Sequence, residues 1–193
     1  MTTLTYLVIA GALVNVVGSW FYIERTLRGV TKPNRVTYII WALAPMIAFA
    51  AAISDGVGWA ALPVFVSGFI PFLIFLASFV NKNAYWKLGR FDYACGAVSL
   101  LALVLWYMTG DPAVAVFFAI VSDALASLPT ITKSWKFPET EYWSGYAGAI
   151  VAAITALIAV PSFTFTAVAF PIYLIFVCVI ILLGIFQKRI LFR

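Results

Sequence analysis

Histidine does not occur in this chain, and only 10% of its 193 residues are Asp, Glu, Lys or Arg. The first absence removes imidazole metal sites and imidazole general bases. The second removes a soluble fold, because a globular chain carries roughly 25% charged residues to cover its surface. Cysteine is scarce too: Cys95 and Cys178 stand far apart inside apolar runs, which reads as buried packing and not as a disulfide framework. What the chain has instead is 65% hydrophobic residues and a mean hydropathy of +1.08. That composition describes an integral membrane protein with almost nothing outside the bilayer. The net charge of +5 is then a matter of topology, and no nucleic-acid partner is expected.

A helix crosses a bilayer in about 20 apolar residues. Seven such runs can be marked: Leu4–Glu24, Val36–Ile53, Trp59–Val80, Phe91–Tyr107, Pro112–Thr132, Tyr142–Val160 and Phe165–Phe186. They are continuously apolar, so they do not read as the alternating strands of a membrane barrel. The fold expected is all-α. All twelve basic residues fall on the side reached after the odd-numbered spans. They are Arg25, Arg28, Lys32 and Arg35, then Lys82, Lys87 and Arg90, then Lys133 and Lys136, then Lys188, Arg189 and Arg193. The opposite loops hold only Asp55 and Asp111. Basic loops stay in the cytoplasm, which places the N-terminus outside and the C-terminus inside. Trp59 and Trp106 then mark the outer interface, and Trp86, Trp135 and Trp143 the inner one, as an aromatic belt. The start, Met1-Thr2-Thr3, lacks the basic region of a signal peptide, so the first span is expected to be retained.

The spans repeat. Sliding the chain by 108 residues lays Val8 on Val116, Ser19 on Ser127, Ile23 on Ile131, Arg25 on Lys133, Arg28 on Lys136, Tyr38 on Tyr146 and Pro63 on Pro171. Identities between apolar segments are common by chance. The agreement of spans, basic loops and a proline at one offset is better evidence. Three spans reverse the direction of a chain, so a second unit would be inverted unless one helix intervened. The fourth span is that linker. The expected plan is 3+1+3: a first three-helix repeat over 1–81, a linker over 82–111 and a parallel second repeat over 112–193. Parallel repeats about an axis normal to the membrane are a transporter design.

Polar residues inside spans are costly and therefore informative. The first span carries Asn15, Ser19, Tyr22 and Thr26; the fifth carries Asp123, Ser127, Thr130 and Ser134. Both sets follow i, i+4, i+7, i+11, one face of a helix, and they coincide at the same offset. Asn15 and Asp123 each stand ten residues before a basic residue, Arg25 and Lys133. At 1.5 Å per residue that is roughly 15 Å, near the middle of a ~30 Å core. A carboxylate there must face the bundle interior or water. Asn15 and Asp123 either bind substrate, with Asp123 also carrying a proton, or hydrogen-bond each other as structural glue.

Trp41 is placed to cap a cavity from the cytoplasmic side, and Trp20 is similarly set, although packing or belt roles compete. Tyr38 and Tyr146 are matched near the inner face, where an interfacial anchor is favoured over a gate. Pro45, Pro63, Pro71, Pro129 and Pro171 interrupt spans, and Pro45 and Pro129 are candidate hinges. The turn Lys32-Pro33-Asn34-Arg35 and the segment 133–141 read as charged loops. Glu139 and Glu141 beside Lys133 and Lys136 offer a salt-bridge latch, with a solvated loop as the default.

Two parallel three-helix units, a linker helix, and the segment Ser127-Leu128-Pro129-Thr130-Ile131-Thr132-Lys133-Ser134 resemble the PQ-loop superfamily. That group includes SWEET sugar facilitators, cystinosin-like lysosomal amino-acid exporters and, by fold, KDEL-type retrieval receptors. Thr130 stands where the family has glutamine, and the first unit has Phe21-Tyr22 without a proline. The chain is also similar to a bacterial family of seven-span proteins with a Lys-Pro-x-Arg-Val turn, here Lys32 to Val36. The resemblance implies a proton-coupling role for Asp123, as in cystinosin-like members. SWEET sugars are held by asparagines in the third and seventh spans, and this chain has none there.

The function expected is a transporter or facilitator of a small polar molecule, working by alternating access in the bacterial inner membrane. Asn15, Ser19, Tyr22, Trp41, Asp123, Ser127 and Thr130 are the candidate substrate residues. The alternative is a receptor or sorting protein of the same fold that reads a ligand without moving it. An enzyme is disfavoured, because one acidic residue lies at depth and no histidine exists to pair with a nucleophile. A retinal protein is excluded, since the seventh span has no lysine. A single Asp/Asn pair makes no ring of charges for a channel. No cofactor and no metal is called for; the expected partners are a small molecule, the lipid bilayer and a second copy of the chain.

Overall fold

The computed structural model describes residues 3–54, 62–108, 112–160 and 163–191. Asp55, Trp59, Asp111 and Arg193 lie outside the described residues, as do the side chains of Pro63, Trp106, Lys188 and Arg189. Among the described residues there are seven α-helices and no strand: α1 (Thr3–Leu27), α2 (Arg35–Ser54), α3 (Leu62–Val80), α4 (Arg90–Met108), α5 (Pro112–Lys136), α6 (Ser144–Ala159) and α7 (Phe165–Leu191). Each expected run became one helix, with ends moved by a few residues. Three stretches, Leu4–Leu27, Val116–Lys136 and Ala167–Gln187, are long and apolar enough to cross a membrane; Phe65–Val80 and Ser144–Ala159 are shorter apolar helices.

The helices close a ring. α1 packs on α6, α6 on α7, α7 on α5, α5 on α2, α2 on α3, and α3 back on α1. α4 leans on α5 and α2 from outside, with Ser122 Oγ donating to the Ser99 carbonyl at 2.9 Å. The outward faces are apolar, including Leu13, Val17, Trp20, Leu101 and Phe176. A lipid environment is the one in which such faces cost nothing.

Local chemistry sets the helix ends. Gly29 has φ 74° and ends α1 in a Schellman motif: Gly29 N donates to Thr26 O and Val30 N to Arg25 O, both at 2.9 Å. Asn34 starts α2, its Oδ1 accepting from Val36 N at 3.1 Å and Thr37 N at 3.2 Å. The loops at this end bind each other. Asn34 Nδ2 donates to Asp92 Oδ1 at 2.5 Å, Asn81 Nδ2 to Leu27 O at 3.0 Å, and Lys32 N to Thr140 O at 2.9 Å. Arg35 donates to Ser78 Oγ at 2.9 Å and Ser78 O at 2.7 Å, and its guanidinium lies 3.8 Å from the centre of the Phe79 ring. The turn at 32–35 is therefore not a solvated loop: Pro33 and Asn34 are buried.

The α1–α6 seam is the tightest. Ser144 Oγ donates to Gly18 O at 2.6 Å. A Cβ on Gly148 would sit 2.8 Å from Asn15 Cα and 3.1 Å from Val14 O, both backbone atoms of α1. Small residues allow this approach, as at membrane-helix interfaces in general. Gly148→Val is expected to lower stability by about 1–3 kcal/mol, seen as a lower melting temperature in detergent. An unchanged melt would show that the seam tolerates a side chain.

Candidate functional site

The ring holds a partly open cavity of about 160 Å³ lined from six helices: all but α4 contribute. Most of the wall is apolar, with Ile70, Ile74, Phe170, Leu174 and Val177 among its residues. Its polar members include Asn15, Ser19, Trp41 and Asp123, together with the tyrosines Tyr22, Tyr38 and Tyr146. Five of the seven expected substrate residues, Asn15, Ser19, Tyr22, Trp41 and Asp123, thus meet at one space, and Pro45 lies on the same wall.

The remaining two serve other contacts. Thr130 is buried between α5 and α2; its Oγ1 donates to Thr37 Oγ1 at 3.0 Å, and Thr37 Oγ1 donates to Ala126 O at 2.7 Å. Ser127 is buried, with its hydroxyl donating back to Ala124 O at 2.8 Å. Neither lines the cavity, and neither does Pro129. A stripe read from sequence is longer than the cavity it faces: its first members, Asn15 to Tyr22 and Asp123, open to the space, and the later turns weld helices together. Trp20 projects outward, 64% exposed, away from the site.

Asp123 and Asn15 find different partners. Asp123 Oδ2 accepts from the Tyr173 hydroxyl of α7 at 2.6 Å. The Trp41 indole N–H is directed at the same carboxylate but falls short of hydrogen-bond geometry, so this buried donor is left unmatched. Asn15 Oδ1 accepts from Ser19 Oγ at 3.4 Å. Tyr173 was not foreseen; it has no polar counterpart at the repeat offset, where Phe65 stands. Cys178, foreseen as packing, is a free, buried thiol on the cavity wall.

Below the cavity lies a second cluster. The chain leaves α5 at Lys136, makes a 3-10 turn over Pro138–Thr140, and brings Glu141 back beneath the ring. Pro138 suits the start of that turn, and Thr140 Oγ1 holds it by donating to Phe137 O at 2.7 Å. Lys133 Nζ and Glu141 Oε1 meet at 2.5 Å with side chains 1% and 0% exposed. Lys133 also donates to the Lys32 carbonyl and stands 5.1 Å from the centre of the Trp86 ring. The other carboxylate oxygen, Oε2, accepts from Tyr22 at 2.7 Å and from Tyr146 at 2.8 Å. The Tyr146 and Tyr38 hydroxyls are 3.2 Å apart, and Tyr38 packs edge-on against Trp41 at 5.3 Å.

Three expectations are corrected here. The segment 133–141 is not a solvated loop, because Glu141 turns inward to meet a lysine already committed to the helix. Tyr38 and Tyr146 are not interfacial anchors, because both are buried and joined at the cavity floor. Trp86 is more than a belt residue, since it packs on Phe137 at 5.4 Å and covers Lys133.

Among the described residues no group of three or more His, Cys, Asp or Glu side chains converges as a metal site requires. No family model, curated protein or solved structure matches the chain.

Removing one partner of a buried ion pair leaves an uncompensated charge. Lys133→Met and Glu141→Gln are each expected to cost about 3–5 kcal/mol. The double variant should cost less than the two singles combined, because no charge is then stranded. Thermal unfolding of the four proteins in detergent measures the coupling; strict additivity would mean that the pair does not act as a unit.

Proposed function

We propose that the chain is a small-molecule transporter or facilitator of the bacterial inner membrane, with Asn15, Ser19, Trp41 and Asp123 as its binding site. The observation that carries this reading is the cavity itself. It lies where six helices converge, it holds a carboxylate and an unmatched indole donor, and its floor is a discrete set of polar contacts. Alternating access needs such a space and a floor that can part. On this reading the Tyr22–Tyr38–Tyr146–Glu141 floor is the cytoplasmic gate, closed in this structure, and Pro45 in the wall lets α2 bend as it opens.

The ring also supports the 3+1+3 plan and the PQ-loop-like reading. Exchanging α1 with α5, α2 with α6 and α3 with α7 returns the same order of neighbours. The seam bond from Thr37 to Ala126 has a near counterpart in Ser144 to Gly18, since Ala126 and Gly18 are 108 residues apart. Tyr38 and Tyr146, matched at that offset, touch each other, as residues beside a twofold axis must.

Two experiments test the reading. With the cytoplasmic side assigned from the basic loops, Lys87→Cys should react with an impermeant thiol reagent only after the membrane is opened. Labelling of intact cells would reverse the orientation. In proteoliposomes, a substrate found by ligand-induced stabilisation should be taken up vectorially, and Asp123→Asn should abolish its pH dependence. Uptake with the same pH profile in the variant would remove the proton role of Asp123. Binding without uptake would favour the receptor or sorting alternative.

A further inference from the structure

The cavity wall has a charge imbalance that narrows what it can hold. Among the described residues no lysine or arginine lines it. The nearest basic side chain of the floor cluster, Lys133, is consumed by Glu141 and the Lys32 carbonyl. The three floor tyrosines are likewise committed, two to Glu141 and the third to Tyr146. The space is faced by two neutral donor groups, the Asn15 amide and the Trp41 indole N–H, and by one carboxylate with no cation beside it. An ionised carboxylate offers about four lone-pair sites, and the Tyr173 hydroxyl fills one of those on Asp123. Asn15 adds a carbonyl oxygen whose bond from Ser19 is long, at 3.4 Å.

A ligand for this wall must bring donors and positive charge, and no acceptor needing a cationic partner. An ammonium does this: it has three N–H donors and no acceptor. Trp41 and Tyr38 line the same space, and aromatic rings attract a cation. Size sets the rest. A cavity of about 150 Å³ accommodates one benzene, and this one is about 160 Å³. Outside the polar groups its wall is Ile74, Phe170, Leu174 and Val177. We propose that the cavity takes a small primary amine with a ring-sized apolar body, its ammonium on Asp123 and its body against the aliphatic and aromatic wall. Zwitterionic amino acids and organic acids fit poorly, because their carboxylates would meet no cation. The inference rests on the proposed reading of the cavity as a binding site. It adds one property to that reading: a carboxylate that holds one cation at a time makes a bound amine and a proton on Asp123 mutually exclusive.

The test uses three probes that share a ring and differ in the polar group: 2-phenylethylamine, 2-phenylethanol and phenylacetate. Binding to the purified full chain in detergent is measured by calorimetry at neutral pH. The amine should bind at least tenfold more tightly than the alcohol, and the acid should not bind. Asp123→Asn should remove the amine's advantage over the alcohol, so that the two bind with similar affinity. If that variant does not fold, the amine-to-alcohol ratio in the unmodified chain still decides. Ala149→Trp, which fills the space from α6, must abolish binding of both. Alcohol or acid binding as tightly as the amine, and blocked by Ala149→Trp, would overturn the amine assignment and leave the cavity as a binding site. Binding of none of the three, or binding indifferent to Ala149→Trp, would overturn both.

Discussion

Lys133 and Glu141 meet at the base of the helix ring with almost no exposure of either side chain. Taking two ions out of water costs several kcal/mol each, and their attraction compensates only if the remaining hydrogen-bonding sites are also filled. Here Glu141 Oε2 and one donor of Lys133 are matched by groups from separate elements, while Glu141 Oε1 has only the ion pair. The Lys32 carbonyl comes from the α1–α2 connection, Tyr22 from α1 and Tyr146 from α6. α1, α5 and α6, and the loop that carries Glu141, must therefore reach their places together for the pair to exist at all. Buried ion pairs are weak sources of net stability; what this one contributes is register, because any slip of α5 against α6 strands a charge.

That constraint shapes the cavity above it. The tyrosines that satisfy Glu141 are also the floor of the space, so the polarity of the floor is spent downward, away from anything bound. Among the described residues Asp123 is left as the one acidic side chain on the wall. It is tied on one side by Tyr173 and approached on the other by the indole of Trp41. Glu141 and Asp123 thus stand in opposite circumstances. Glu141 is matched by a lysine and two hydroxyls. Asp123 is hydrogen-bonded but has no cation.

Much of this was legible in the sequence, for reasons that can be stated. Seven apolar runs became seven helices because hydrophobic length is a property of each segment alone. Asn15, Ser19, Tyr22 and Asp123 met at one space because a polar residue inside an apolar helix has few places to go. Ser127 and Thr130 lie on the same stripe but serve helix contacts, and no spacing rule separates a hydroxyl that faces a cavity from one that faces a neighbouring backbone. The latch between Lys133 and Glu141 was legible, but the solvated loop was favoured over it for a different reason. Glu141 sits beyond the end of an apolar run, where charge ordinarily means solvent, and only the 3-10 turn over Pro138–Thr140 reverses it. Tyr173 escaped because tyrosine in an apolar helix is compatible with packing, an interface or a hydrogen bond, and sequence does not choose among them.

The close approach of α1 and α6 has a mechanical consequence. Gly18 and Gly148 let these two helices touch backbone to backbone, whereas the opposite seam, α2 with α5, is joined through the side chains of Thr37 and Thr130. Backbone contact has little play; a bridge of hydroxyls can lengthen or exchange partners. If the two halves of the ring move, they pivot about α1–α6 as a book does about its spine, and the pages part at α2–α5. An opening at that seam would be one-sided, and it would first separate Thr37 from Ala126 and Thr130.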